Sequence, residues 1–89
     1  MRSRATKRFW NCFASLPPDI QQRARKSFQL WQDNHRHPAV RFKQIRPNPS
    51  IYSARIGLGW RALGLLEGDT VIWFWIGSHS DYEQLIQGL

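Results

Sequence analysis

Two arginines on either side of a short glycine-containing loop form the first arrangement in this sequence that suggests a chemical role. The loop is Gly57–Gly59, and a three-residue hairpin loop there would set Arg55 opposite Arg61 on one face of a sheet. Two cations directly across a ladder repel each other, which indicates that a carboxylate of a partner or a phosphate lies between them. The alternative is that both guanidiniums stack on Trp73 or Trp75 as solvated cations.

A histidine and a tyrosine follow the most apolar stretch of the chain. Every residue of Val71–Ile76 is β-branched or aromatic, which predicts a strand covered on both faces, and Gly77 ends it. His79 comes directly after, and Tyr82 would share its side if the segment turns helical. Because imidazole titrates near neutrality, His79 could transfer protons at physiological pH. The alternative is a packed or surface histidine.

Two further cations, Arg41 and Lys43, precede the hairpin and could extend the cationic surface. For Arg41 the favoured interpretation is a solvated charge on an edge strand.

Neither a metal site nor a cofactor site is expected. The potential zinc ligands Cys12, His35, His37 and His79 have no CxxC or HxxxH spacing, and no glycine-rich phosphate loop opens a helix. The acidic residues are scattered or lie at turns, which argues against a paired-carboxylate mechanism.

Length and charge limit the possible classes further. The chain has 89 residues, enough for a single domain (1–89) whose residues 1–6 we interpret as a basic N-terminal tail. A formal net charge of +7 predicts a polyanionic partner. A single cysteine excludes an internal disulfide and favours the cytoplasm, and no apolar run is long enough to predict a membrane partner.

The remaining patterns predict an α+β domain. A short first strand is expected at Arg8–Phe13, and one helix, or two if it breaks, between Leu16-Pro17-Pro18-Asp19 and Asp33-Asn34. Strands are then expected in four stretches: Val40–Ile45, Ile51–Ile56, Trp60–Leu66 and Val71–Ile76. The segment Asp81–Ile86 is either a terminal helical turn or a continuation of the sheet.

One or two N-terminal helices should pack on one face of a twisted antiparallel sheet of three to four strands. The apolar stripe of the helix comprises Ile20, Ala24, Phe28 and Trp31. Its natural partner is the sheet face that carries Tyr52, Ala54, Ile56, Ala62 and Gly64. Arg55 and Arg61 should therefore point away from these helices.

Three groups of residues, in this order, carry a resemblance to a known family. They are Leu16-Pro17 with His37-Pro38 and Phe42-Lys43; Ile51–Gly57 with Trp60–Gly64; and Trp73–His79 with Asp81-Tyr82. Together they resemble the RelE/ParE superfamily of bacterial type II toxins, specifically small members that end in a WIGSH-like motif. The likeness covers roughly residues 7–86.

The resemblance implies a RelE-like fold and, in the RelE branch, cleavage of messenger RNA on the ribosome without a metal, by attack of the ribose 2′-hydroxyl on the adjacent phosphate. Arg55 and Arg61 would hold the phosphate, with Lys43 and Arg41 extending the cationic surface. His79 would be the general acid or base, and Tyr82 would stack on a base or assist proton transfer. Ser53 stands where such enzymes often carry another lysine, so the basic cluster is thinner.

The expected function is therefore the toxin of a type II toxin–antitoxin module, an mRNA endonuclease (mRNA interferase) that inhibits translation. Its expected partners are the mRNA on the ribosome and a cognate antitoxin, which would cover the basic face with an acidic or amphipathic segment in a hetero-oligomer. The superfamily also contains ParE-type toxins, which poison DNA gyrase and cut no RNA. A gyrase poison and an inactive RNA- or antitoxin-binding member are the alternatives, and the pair His79 and Tyr82 favours the nuclease.

Overall fold

The structure, a computed structural model, describes all 89 residues. Its elements are β1 (Arg2–Ala5), α1 (Lys7–Ala14), α2 (Pro18–Asp33), β2 (Lys43–Pro47), β3 (Ser50–Ile56), β4 (Trp60–Glu67), β5 (Thr70–Ser78) and α3 (His79–Gln87). The strands form one sheet in the order β1-β5-β4-β3-β2, in which β1 runs parallel to β5 and the other pairs are antiparallel. The predicted α+β class is confirmed.

Helix α2 begins and ends as the sequence predicts, without a break. Pro18 occupies the first helical turn, where its missing N–H costs nothing, and Asp19 lies at the positive end of the helix dipole. Ile20 and Trp31 of the predicted stripe are buried, whereas Phe28 is 40% exposed at the margin. The apolar stripe is therefore narrower than expected.

Both α1 and α2 pack on one face of the sheet around Trp31. This indole is 1% exposed, and its ring meets the rings of Phe42 and Trp73 edge to face at centroid distances of 5.4 Å. The other buried members of this core are Phe13, Leu16, Ile20, Ala24, Val40, Ala54, Ile56, Ala62, Val71 and Ile76. The predicted sheet face indeed meets the helices.

Strand β5 has neighbours on both sides, and its two faces are both covered. A register shift against Leu63 and Gly64 of β4 places Trp73 on the side of α1 and α2 and turns Trp75 to the opposite side. There Trp75 joins a second core of Ile51, Leu63 and Tyr82. The bulge thus lets one strand contribute an indole to each core.

Three features of the fold differ from the expectations. The stretch Arg8–Phe13 is not a strand but part of α1, whose first turn is capped by the Thr6 hydroxyl accepting from the Phe9 N–H at 3.1 Å. The supposed basic tail contains β1, so the sheet has five strands and one parallel pair. Finally, α3 is a full helix and packs on the face opposite α1 and α2.

None of the three helices is both long and apolar enough to span a lipid bilayer.

Candidate functional site

A depression of about 220 Å³ lies where the start of α3 meets the face of the sheet opposite α1 and α2. Nine side chains line it: Arg41, Lys43, Ser53, Arg55, Arg61, His79, Tyr82, Glu83 and Ile86. All six residues that the sequence singled out as site candidates are among them. We call this feature the cationic depression.

The hairpin of β3 and β4 positions the two arginines. Arg55 is directly opposite Arg61 in the ladder, in the register that the three-residue loop predicts. Backbone carbonyls at this end of the hairpin hold both side chains: Arg55 Nε donates to the Gly57 carbonyl in the loop at 3.1 Å, and Arg61 Nη1 donates to the carbonyl of Trp60, the first residue of β4, at 2.8 Å. Gly57 can make this turn because its φ of 63° lies in the left-handed region.

Neither arginine has an anionic partner within the chain. The only ion pairs join the Met1 amino group to Asp69 and His79 to Glu83. Stacking on Trp73 or Trp75, the alternative raised by the sequence, is not observed. The only guanidinium over an aromatic ring is that of Arg25, 5.0 Å from the centroid of Phe13.

Electrostatic strain is concentrated at Arg61. Burial lowers the pKa of its guanidinium below the usual value, and the positive charge of Arg55 lowers it further. The charge of Arg41 also lowers the pKa of Arg61, whereas Tyr82 and Glu83 raise it. The protonated form of Arg61 is thus less favourable here than in water, and a bound anion would relieve part of that cost.

The other two cations reach the depression from the segment before β3. Lys43 is opposite Ser53 in the β2–β3 ladder. Ser53 is two positions before Arg55 on β3, so Lys43 and Arg55 lie on the same face of the sheet. The Arg55 N–H donates to the Val40 carbonyl at 2.6 Å, which holds the neighbouring Arg41 against β3. Arg41 is exposed, in agreement with the solvated charge favoured from the sequence, but it precedes β2 and does not lie on a strand, and it also lines the depression.

The start of α3 places His79 beside the hairpin loop. The His79 N–H donates to the Gly59 carbonyl at 2.8 Å, and the Ser78 hydroxyl caps the helix by accepting from the Asp81 N–H at 3.1 Å. His79 Nε2 lies 3.0 Å from a carboxylate oxygen of Glu83, and the imidazole is 46% exposed. The backbone therefore fixes where the imidazole emerges, and Glu83 meets one of its nitrogens.

Tyr82 contributes more to packing than the sequence suggests. Its residue is 7% exposed and belongs to the core formed with Leu63 and Trp75, while its ring centroid lies 5.9 Å from that of His79. This burial leaves little ring surface on which a nucleic-acid base could stack.

Three lining residues were not among the sequence candidates. Ser53 is 3% exposed and opposes Leu63, so it leaves room for the neighbouring arginines. Ile86 supplies an apolar margin. Glu83 could have been found from its spacing of four residues from His79, which places the two on one side of a helix.

Arg46 anchors the far end of α3. Its Nη2 donates to the Ile86 carbonyl at 2.8 Å, and its Nε lies 3.5 Å from the Leu89 carbonyl. A cation at the carboxyl end of a helix satisfies carbonyls that have no intrahelical partner and complements the helix dipole. The helix that carries His79 is thus held at both ends.

The chain contains no group of three or more His, Cys, Asp or Glu side chains placed to hold a metal ion. The lining of the depression accordingly offers one carboxylate and one imidazole among four cations.

A family model described as ParE-like toxin domain matches residues 18–84. None of the curated proteins matches the chain.

Three solved structures share the fold. The RelB–RelE antitoxin–toxin complex from Methanococcus jannaschii matches with a TM-score of 0.72 at 18% identity, over 91% of this chain and 95% of that one. The toxin–antitoxin complex RelBE2 from Mycobacterium tuberculosis gives 0.63 at 23% identity, over 88% and 96%. A copper-bound mutant toxin from Helicobacter pylori gives 0.60 at 15% identity, over 91% and 97%.

Proposed function

Because the chain belongs to the ParE-like toxin domain family, within the RelE/ParE superfamily, we propose that it is the toxin of a type II toxin–antitoxin module. We further propose that it acts as a ribosome-dependent mRNA endonuclease, without a metal ion, and so inhibits translation. Its place of action would be the cytoplasm, where translating ribosomes are found.

The observation that carries this proposal is the composition of the cationic depression. Four cations without a carboxylate partner converge there with one imidazole. Phosphodiester cleavage needs positive groups around a phosphorus centre whose oxygens gain charge in the transition state, and a group that moves a proton nearby. The depression contains both requirements within one small volume.

The reaction that fits these groups is an internal transfer of the phosphodiester. The ribose 2′ oxygen forms a bond to phosphorus, the bond from phosphorus to the 5′ oxygen breaks, and the products are a 2′,3′-cyclic phosphate and a 5′-hydroxyl. The 2′-hydroxyl loses one proton and the 5′ oxygen gains one, so no net proton is consumed. Arg55 and Arg61 hold the phosphate, while His79 takes the first proton or supplies the second.

Lys43 and Arg41 have a supporting role in this proposal. They lie at the β2 side of the depression and would contact neighbouring phosphates of the RNA. The buried Tyr82 packs beside His79 and would act through the orientation of the imidazole or through its hydroxyl group.

An antitoxin is the second proposed partner. Two structures with this fold are antitoxin–toxin complexes, RelB–RelE and RelBE2. The same unpaired cations that would bind RNA are complementary to an acidic segment. We therefore propose that the antitoxin covers the cationic depression with an acidic or amphipathic segment and forms a hetero-oligomer with the toxin.

A second candidate function is inhibition of DNA gyrase. The observation that favours it is the family model itself, whose description names ParE-like toxins. In that case the cationic surface would bind the acidic enzyme–DNA complex, and neither His79 nor the Arg55–Arg61 pair would cleave RNA.

The test uses the purified protein with ribosomes that carry a defined mRNA, free mRNA, and DNA gyrase with plasmid DNA in parallel reactions. The proposal predicts cleavage of ribosome-bound mRNA, a 2′,3′-cyclic phosphate end, and no cleavage when the nucleotide at the cut carries a 2′-deoxyribose. Intact mRNA together with a loss of gyrase supercoiling would establish the second candidate. Activity in neither reaction would identify an inactive member.

A further inference from the structure

We propose that Glu83 is a positioning residue that fixes His79 in the tautomer with its proton on Nε2, so that Nδ1 is the nitrogen that exchanges a proton with RNA. The inference deepens the proposed function and rests on it, because the proton transfer belongs to the same site.

The geometry gives the tautomer directly. Nε2 of His79 and a carboxylate oxygen of Glu83 are 3.0 Å apart, a hydrogen-bonding distance between residues one helical turn apart in α3. An ionised carboxylate can only accept, so the hydrogen of this bond must belong to Nε2. Nδ1 makes no hydrogen bond within the chain and is the nitrogen left for a ligand.

The backbone makes this arrangement specific to the start of α3. The N–H of His79 is held by the Gly59 carbonyl, and the Ser78 hydroxyl caps the same turn. With the Cα position fixed by these bonds, the contact with Glu83 determines the orientation of the ring. A histidine oriented in this way by a carboxylate is the usual means by which proteins select one tautomer.

The identity of the reacting nitrogen follows from this bond. If neutral His79 accepts the proton of the 2′-hydroxyl, the lone pair that takes this proton is on Nδ1. If protonated His79 supplies a proton to the 5′ oxygen, the proton leaves from Nδ1 while Nε2 keeps its bond to Glu83. In both directions the contact between Nε2 and the Glu83 carboxylate is kept.

Glu83 also has an effect on binding that opposes its effect on the reaction. It is the only acidic side chain among those that line the cationic depression, which otherwise presents Arg41, Lys43, Arg55 and Arg61. An incoming phosphate would meet the negative charge of Glu83 as well as these four cations and the ring of His79. Removal of that charge should therefore tighten RNA binding while it slows proton transfer.

The main test variant is Glu83→Gln, which keeps the size of the side chain and removes its charge. An amide can donate as well as accept, so it no longer selects one tautomer. Protein labelled with ¹⁵N-histidine, examined by NMR at about pH 9, where imidazoles are neutral, reports which nitrogen carries the proton. We expect the wild type to show a protonated Nε2 and a bare Nδ1, and Glu83→Gln to show a mixture of both tautomers.

Kinetics on ribosome-bound mRNA give the second measurement. For Glu83→Gln we expect kcat to fall about 10-fold through the loss of orientation and KM to fall about 3-fold through the loss of a like charge. Loss of a residue that only supports folding would weaken RNA binding and so raise KM, whereas here both kcat and KM should fall. Glu83→Ala, which removes the acceptor altogether, should give the same mixture of tautomers.

The matched control is Asp81→Asn, which removes one negative charge from the same helix. Asp81 lies on a different side of α3 and lines another groove together with Cys12 and Trp75. We expect its tautomer signals to equal those of the wild type and its kcat and KM to stay within about twofold.

The inference would be overturned if His79 of the wild type carried its proton on Nδ1. It would also be overturned if the Glu83 variants showed the wild-type NMR signals and the wild-type kcat. The two readouts also separate it from the proposed function. If the wild type leaves mRNA intact, the cleavage role fails together with the proposed function, whereas the NMR result still decides whether Glu83 sets the tautomer.

Discussion

Arg55 and Arg61 lie directly opposite each other across the β3–β4 ladder, and neither guanidinium has a carboxylate within 4.0 Å. Like charges in that position reduce the stability of a sheet. The pair is therefore better explained by an anion that the protein binds than by packing. The predictions below separate the two explanations and test the elements that hold the site.

The first prediction concerns Arg61→Gln. The variant should raise the free energy of unfolding by about 0.5 kcal/mol, because it removes the repulsion between the two guanidiniums. It should also lower the rate of mRNA cleavage about 100-fold, because a cation that stabilises the developing charge is lost. Urea unfolding and single-turnover cleavage measure the two effects, and a loss of stability above about 1 kcal/mol would show instead that Arg61 is needed for packing.

The pH dependence of this gain follows from the lowered pKa of Arg61. A base with a lowered pKa in the folded state destabilises that state at every pH below the folded value, and the cost disappears only as pH rises through it. A guanidinium stays protonated over the pH range in which proteins are folded. The gain in the free energy of unfolding of Arg61→Gln should therefore be equal at about pH 5 and about pH 9. A gain found at only one of these values would point to a different titrating group.

A second prediction compares two glycines at the hairpin end of the site. A Cβ at Gly77, which opposes Arg61, would lie 2.5 Å from Cζ2 of the buried Trp75, whereas a Cβ at Gly59 would have no atom within 4 Å. Because Trp75 is packed in the second core and cannot move freely, Gly77→Ala should cost about 2 kcal/mol. Gly59→Ala is the matched control and should change stability by less than about 0.5 kcal/mol. Equal effects in urea unfolding would contradict this account.

A third prediction concerns the unpaired indole N–H of Trp31. The residue is 1% exposed, and its Nε1 has no hydrogen-bond partner. A buried donor without a partner destabilises the folded state by about 1–3 kcal/mol. Trp31→Phe loses some packing but also removes this donor, so the free energy of unfolding of the variant should stay within about 1 kcal/mol of the wild type. Trp31→Ala should cost about 4 kcal/mol. If the two variants prove equally unstable in urea, the indole N–H must have a partner.

A fourth prediction tests the anchor of α3. Arg46→Gln removes the bonds to the Ile86 and Leu89 carbonyls and should cost about 1 kcal/mol. The amide hydrogens of the last turn of α3 should then exchange faster, and cleavage should slow only modestly, since His79 is held from the other end. Lys26→Gln, an exposed cation of α2 without an ion pair, is the control and should change neither quantity. Unchanged exchange in Arg46→Gln would show that α3 does not depend on this anchor.

The parts of the fold that the sequence predicts well are those with strong local signals. Pro17 and Pro18 with Asp19 define the start of α2, and the Gly57–Gly59 loop defines the register that sets Arg55 opposite Arg61. These interactions join residues close together in the chain, so the pattern of residue types is sufficient to place them.

The parts that were missed depend on contacts between distant residues. Strand β1 has no apolar pattern of its own and forms because its backbone pairs in parallel with β5. Arg41 reaches the cationic depression because Val40 bonds to β3, and Glu83 contributes only because α3 becomes a full helix against the sheet. The four-residue spacing of His79 and Glu83 is visible in the sequence, but no local spacing encodes the pairing of β1 with β5 or of Val40 with β3.

The most direct test of the proposed nuclease is the single-turnover rate of cleavage of ribosome-bound mRNA by His79→Ala. The imidazole is about half exposed, so the substitution should leave the free energy of unfolding within about 0.5 kcal/mol of the wild type. If His79 moves the proton, the cleavage rate should fall at least about 100-fold. Cleavage at the wild-type rate by a folded His79→Ala protein would contradict the account.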